Sequence, residues 1–579
     1  MAFNTFKILI AIFIFAFLLL PSSALAIVDP LASPNNKFGI HIISPSVDES
    51  SPAATLVNSS GGDWGYVTIL AESNNRDQNK WQTFFNDLRR RHLIPLVRLA
   101  TQPQGNIWKL PYEGEEEAWV DFLDHLIWPT KNRYIIIYNE PNQGQEWAGK
   151  VDPASYAKIL DKTVTALKAK NPDFFVLNAG LDASAPNQLP AYLDEEKFLE
   201  EMAQAVPGIF NKLDGWVSHS YPNPGFVGSP TASGKGTVQT WAWELEKLKE
   251  LGLNKNLPVF ITETGWKHAE GLNFDKSLPS SEQVGKYLKQ AFESTWASSQ
   301  IVAVCPFLLD YQEEPFDHFS FKKPSSEKQN LKVLGISYPL FYPQYQTVLE
   351  MPKISGKPIQ ENKAELIKGG VYPAVVAGEN YVIPITFKNT GQSIWNESEV
   401  ISLKALEGAK ELGITQSSII RPRIEPGGET TFHINLKAPQ SGNFRVSLQL
   451  YQGNKAFDQK PFVFTTQVKS PVILKVNAAL EWKKIFGGEY LMKITSEVVQ
   501  TTLSLNLDNF GQSKPIEVKY LIPDQNVRFT LYKPFYKPKI IELGVISGIN
   551  QLDFGSLQPD ILTVLLNPSE LWKLLPFSN

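Results

Sequence analysis

From residue 35 to about 352, short apolar runs alternate with longer segments of helical periodicity. Eight of the runs read as strands: Phe38–Ile43, Trp64–Leu70, Ile94–Ala100, Arg133–Asn139, Phe174–Ala179, Gly215–Ser220, Pro258–Glu263 and Ile301–Leu309. Several are almost wholly apolar, as parallel strands covered on both faces require. Between them, Trp81–Arg91 and Ala154–Lys170 carry apolar residues three and four apart, the stripe of an amphipathic helix. Asp152 stands where its carboxylate would cap the second helix, with Pro153 at the first helical position, where a missing N–H costs nothing. Further helices are expected at Glu195–Gln204, Val238–Leu251 and Ser280–Ser298. Eight strands alternating with helices predict an α/β fold, a (β/α)8 TIM barrel over residues 35–352.

Beyond Met351-Pro352 the pattern changes. Residues 353–362 are polar, contain Gly356 and Pro358, and read as a linker. From about 363 the period becomes two, in Val382–Lys388, Thr430–Lys437 and Arg445–Tyr451, punctuated by Asn389-Thr390-Gly391 and Pro426-Gly427-Gly428. That alternation predicts a β-sandwich at 363–468. A second β-rich domain is expected at 470–579, with strands at Thr501–Leu507, Val527–Tyr532 and Ile540–Val545.

The N-terminus adds a location. Lys7, the apolar run Ile8–Leu20 and the small residues Ala24 and Ala26 describe a signal peptide over residues 1–26. The run is shorter than the roughly 20 residues that span a bilayer. Secretion or cell-surface display is expected, with an uncleaved N-terminal anchor as the alternative. Cys305 is the one cysteine, so no disulfide forms within the chain, and its apolar run predicts a buried thiol. The net charge of −4 and the lack of a basic stripe argue against a nucleic-acid partner. No metal-ligand spacing or phosphate-binding glycine loop occurs, so neither a metal nor another cofactor is expected.

Candidate chemistry sits at strand ends. Strand four ends in Tyr138-Asn139-Glu140-Pro141, strand six in His219-Ser220-Tyr221-Pro222, and strand seven in Thr262-Glu263-Thr264. In a barrel these ends form the functional face. The alternative for a charged residue ending an apolar strand is half of a buried structural ion pair.

Asn-Glu closing strand four, His-x-Tyr closing strand six and Glu closing strand seven together resemble the clan A glycoside hydrolases, across roughly residues 35–350. The resemblance implies a retaining glycosidase acting on an oligo- or polysaccharide through two glutamates. Glu140 would be the general acid and base, and Glu263 the nucleophile. Asn139 would bind the sugar hydroxyl beside the reacting carbon. Tyr221 would donate to Glu263, His219 would orient the site or touch the sugar, and Arg98 would support the nucleophile. Trp266 and Trp147 are the favoured sugar-stacking platforms, ahead of Trp108 and Tyr311. Many members end strand eight with Trp, whereas this chain reads Pro306-Phe307-Leu308-Leu309-Asp310-Tyr311, leaving Tyr311 or Asp310 to serve instead. Phe387-Lys388-Asn389-Thr390-Gly391 with Trp395 resembles an Ig-like module, for which surface attachment is one role. A transglycosylase on the same site is one alternative. A catalytically inactive carbohydrate-binding or cell-surface protein is another.

Overall fold

The computed structural model describes residues 27–324, 340–370, 372, 374–414, 418–437, 440–457, 459–566 and 569. The expected signal peptide lies outside them. Among the described residues, no helix is long and apolar enough to cross a membrane. The chain divides into two compact units, residues 1–361 and 362–579.

The first unit is a closed parallel barrel. Its strands are β1 (Gly39–Ile42), β2 (Gly65–Glu72), β3 (Leu93–Ala100), β4 (Arg133–Ile136), β5 (Phe174–Leu177), β6 (Trp216–His219), β7 (Val259–Thr264) and β8 (Ile301–Pro306). β1 to β5 pair in order, as do β6 to β8. The Leu177–Gly215 and Phe38–Val304 bridges join the two arcs into a ring. All eight strands fall inside or within two residues of the expected runs. Most of the runs end earlier than expected, because their last residues leave the ladder to build the mouth.

Alternation along the strands fixes what faces inward. Tyr66, Ile94, Leu96, Tyr134, Ile136, Phe175, Val217, Phe260 and Cys305 form one buried layer. Val67, Val97, Ile135, Val176, Trp216, Val259 and Ile261 belong to the larger core that also takes in the helices. Cys305 fills the space that Gly39 leaves open: a Cβ there would stand 2.4 Å from its Sγ. Burial pushes this thiol up to about 12, so it acts as packing and not as a nucleophile.

The helices are α1 (Val47–Val57), α2 (Gln78–Arg90), α3 (Glu115–Asp124), α4 (Pro153–Lys170), α5 (Glu195–Ala205), α6 (Thr240–Glu250), α7 (Ser281–Glu293) and α8 (Pro343–Glu350). Asp152 caps α4 by accepting the Ser155 N–H at 3.0 Å. α2 starts a turn earlier than its apolar stripe, because Asp77 accepts the N–H groups of Asn79 and Lys80. α7 ends well before Ser298. Ser294 leaves helical geometry there, and the Trp296 indole donates to the Val238 carbonyl instead. Residues 353–361 are tied along the barrel base by Lys353 N–H to Ser60 O, Gly356 N–H to Asp63 O and Lys131 N–H to Ile359 O.

The second unit holds two β-cores. Strands Ala364–Gly369, Asn380–Asn389 and Glu429–Lys437 form one sheet, and Phe462–Lys469, Gly442–Gln452 and Ile401–Glu407 lie in another. Their alternate residues, among them Ile385, Phe432 and Leu448, share one core with Trp395. Strands Val472–Leu480 and Gly548–Leu557 belong to one sheet of the other pair. Gln500–Leu507, Gly488–Thr495, Gln525–Tyr532 and Lys539–Val545 make its partner, around Val476, Tyr490 and Phe529.

Candidate active site

The C-terminal ends of the barrel strands surround a cavity of about 370 Å³, within the size range of small-ligand sites. Arg98 reaches it by simple alternation from Ile94 and Leu96, which face the barrel interior. Glu263 does not. Val259 and Ile261 face the helices, so strict alternation would turn Glu263 outward as well. A register shift between β6 and β7 breaks the alternation: Ser218 pairs with Ile261, but His219 pairs with Glu263. That irregularity turns the carboxylate into the mouth, as bulges beside functional sites do.

Glu140 is held by a different device. After β4, Tyr138 and Glu140 take φ of 69° and 33°, in the left-handed region that non-glycine residues avoid. Such strain persists only where neighbours enforce it. The Glu140 N–H donates to Gly180 O at 3.0 Å. Buried Asn142 ties the next turn to the Asp182 and Leu193 carbonyls. Gly180 is required there, since a Cβ would stand 2.2 Å from the His219 ring.

The two glutamates have opposite environments. Arg98 donates to Glu263 Oε1 at 2.5 Å and to Asn139 Oδ1 at 2.7 Å. Tyr221 donates to Glu263 Oε2 at 3.1 Å. Buried His41 stands 3.6 Å from Oε1, and burial pushes its own ring down to about 3, which keeps it neutral. Burial alone would raise Glu263. The facing His219 and Arg98, with the Tyr221 hydroxyl, outweigh it and hold the carboxyl at about 2. Burial dominates at Glu140 and pushes it up, aided by the charges of Glu263 and Asp182 against the pull of His219. His219 Nδ1 lies 2.7 Å from Glu140 Oε1. Burial works against a charge on His219, but the two glutamates outweigh it and raise the ring. Gln143 donates to the other oxygen, Glu140 Oε2, at 2.8 Å.

An oxygen of Glu140, an oxygen of Glu263 and a ring nitrogen of His219 all lie within 4.8 Å of one another. These three could ligate a metal ion, but Arg98 already occupies Glu263 Oε1 with a fixed positive charge.

Six of the expected site residues therefore converge: Glu140, Glu263, Asn139, His219, Tyr221 and Arg98. The two favoured tryptophans do not. Trp147 is buried between Tyr138 and Tyr156. Trp266 is buried against Tyr287 and Trp296, with its indole N–H donated to Gly228 O at 2.7 Å. Both follow strand ends in sequence but turn back under the helices, where a large apolar ring loses most water contact. Trp108 is the tryptophan that lines the cavity, carried by the short hairpin Pro103–Gln104 and Ile107–Trp108. At the end of β8, Phe307 lines the cavity, while Asp310 pairs with Lys322 and Tyr311 packs on Phe316.

Several lining residues carried no sequence signal. Glu146 sits six residues beyond Glu140 and receives the Asn139 amide at 3.4 Å. Burial, reinforced by Glu140, raises it to about 7. Gln143, Asp182, Phe226, Lys267, Phe316 and Phe319 are others in this group. All come from long loops that have no periodicity to read.

No protein-family model and no curated protein sequence matches this chain. Among solved structures, the chain is similar to a family 39 glycoside hydrolase from Bacteroides cellulosilyticus WH2. That match has 15% identity over 71% of this chain and 80% of the other, with a TM-score of 0.36. A fungal beta-1,4-galactanase matches at 12% identity over 55% and 99%, also with a TM-score of 0.36. A family 51 alpha-L-arabinofuranosidase from Bifidobacterium longum matches at 11% identity over 85% and 96%, with a TM-score of 0.34.

Proposed function

We propose that the chain is a secreted retaining glycosidase that cleaves O-glycosidic bonds of an oligo- or polysaccharide. The observation that carries this reading is the glutamate pair. Their nearest oxygens are no more than 4.8 Å apart, and one carboxyl is biased towards its protonated form while the other is held ionised. Retaining enzymes need carboxyl groups about 5–5.5 Å apart, whereas inverting ones leave about 6.5–9.5 Å for a water. Two carboxyls pushed apart in affinity divide the acid and nucleophile roles between them.

In the first step Glu263 attacks the anomeric carbon as the bond to the leaving oxygen breaks. Glu140 delivers its proton to that oxygen. In the second step Glu140 takes a proton from water, whose oxygen displaces Glu263 from the sugar. Arg98 and Tyr221 keep Glu263 anionic between turnovers, and His219 and Gln143 position Glu140. Asn139, whose amide oxygen accepts from Arg98, lines the cavity with an amide suited to a sugar hydroxyl. Export rests on the expected signal peptide at residues 1–26, and the β-domains are assigned to spacing or surface attachment.

The test is hydrolysis of a panel of chromogenic glycosides and polysaccharides by the wild type, Glu140→Gln and Glu263→Gln. The wild type should cleave at least one substrate, and each variant should lose at least about a hundredfold in rate. A panel left intact by the wild type, or one cleaved equally by Glu263→Gln, would sink the assignment.

A further inference from the structure

The cavity is lined by two fixed cations, and only one is neutralised. Arg98 is paired with Glu263. Lys267, on the loop after β7, is half-buried and also lines the cavity. Its ammonium stands 5.2 Å from the Phe226 ring centre and 5.7 Å from that of Phe319. Asp275 feels its charge from a distance, but no carboxylate among the described residues comes within ion-pair distance of it.

The position matters because the two rings connect it to the reacting centre. Phe226 and Phe319 both pack edge-on against Tyr221, at 5.0 and 6.0 Å. Tyr221 in turn donates to Glu263. Two intervening side chains, a phenylalanine and Tyr221, therefore separate the ammonium from the nucleophile. The rings hold it through their π faces, which accept charge without using up its hydrogen bonds. Its three N–H donors remain for a ligand. Among the described residues, none of the lining acids Glu140, Glu146, Asp182 and Glu263 forms an ion pair with it. Around Lys267 the lining is aromatic: Phe226, Phe307, Phe316 and Phe319. An ammonium in such a setting gains most from a full negative charge, since the surrounding rings weaken screening by water.

We propose that Lys267 selects substrates whose sugar carries an anionic group, a carboxylate or a sulfate, against the Phe226 and Phe319 wall. This rests on the glycosidase reading of the same site. The contact adds attraction for the charged sugar and leaves an unpaired cation when a neutral one binds, so it works through discrimination.

The experiment uses the full chain, as wild type, Lys267→Gln and Lys267→Arg. Nitrophenyl glycosides are compared in matched sets: a neutral hexoside, its uronide and its sulfate ester. The wild type should favour one charged member over its neutral parent by tenfold or more in kcat/KM. Lys267→Gln should cut that ratio at least tenfold, and Lys267→Arg should restore part of it. Which charged member is preferred separates carboxylate from sulfate. A ratio unchanged in Lys267→Gln, or a preference for the neutral sugar throughout, overturns the proposal. Should the wild type cleave none of the set, the glycosidase reading fails on its own, and calorimetric binding of glucuronate, galacturonate and glucose sulfate against glucose and galactose decides the rest. Tenfold tighter binding of an anion that Lys267→Gln abolishes supports the cation site, and equal binding rejects it.

Discussion

Proton affinities at single residues set how the rate should depend on pH. Glu263 must be ionised to attack, so activity rises as pH passes its value of about 2. Glu140 must be protonated to start the reaction, so activity falls as pH passes its raised value, above the ordinary 4.5. A kcat/KM profile with a very acidic lower limb is the expected result. Removing the guanidinium in Arg98→Met should move that limb up by about 1–3 pH units, since an adjacent opposite charge shifts a carboxyl by that much. Glu146 stays protonated up to about 7, held there by burial first and then by the charge of Glu140. Removing that charge in Glu140→Gln should therefore lower the pH at which Glu146 ionises, followed by carbon-13 NMR of its carboxyl, and an unmoved midpoint would remove Glu146 from the proton network. At this scale Asn139, Glu140, His219, Tyr221 and Glu263 were legible because each ends a countable strand. Glu146 and Lys267 were not, because a loop position carries no period.

Strands and helices were the most legible elements, since burial on both faces demands apolar runs that polar loops interrupt. What the apolar pattern cannot reveal is the shift at His219 that turns Glu263 inward, because it depends on pairing between two strands. The tryptophans misled for a related reason: nearness to a strand end says nothing of whether a ring turns into the cavity or under a helix. Trp147→Ala and Trp266→Ala should each cost about 3–5 kcal/mol of stability, as large-to-small core changes do. In denaturant titrations both midpoints should fall, whereas Trp108→Ala should leave stability nearly intact and weaken substrate binding. α5 and α6 carry a second buried acid pair, Glu195 and Glu244. Burial, then the mutual proximity of the two, pushes Glu195 far up, and burial raises Glu244. Acids raised on folding contribute stability below the ordinary 4.5, and that contribution is lost as pH rises towards their folded values. Melting measured from about pH 5 to about pH 9 should fall less for Glu244→Gln than for the wild type.

At the scale of the whole molecule, the cores are separate. The barrel's buried residues end at Met351, and those of the β-cores begin at Val375. A chain ending at Glu361 should fold with the wild-type barrel's circular dichroism and keep its hydrolytic rate on small glycosides. Loss of that rate on truncation would give the second unit a part in the site. The break near residue 360 was visible in the sequence as the change from helical period to period two. The hydrogen bonds that tie residues 353–361 to the barrel base were not, because a polar segment reads alike whether it is free or pinned by its backbone.

The most direct test of the central claim is covalent trapping of the nucleophile. The full chain would be incubated with a panel of activated glycosides fluorinated beside the anomeric carbon, which slow release of the glycosyl-enzyme more than its formation. Peptide mass spectrometry would then locate the label. One member of the panel should label Glu263, and Glu263→Gln should remain unlabelled with the same reagent. A label on any other residue, or none across a panel whose parent glycosides the protein hydrolyses, would contradict the two-glutamate account.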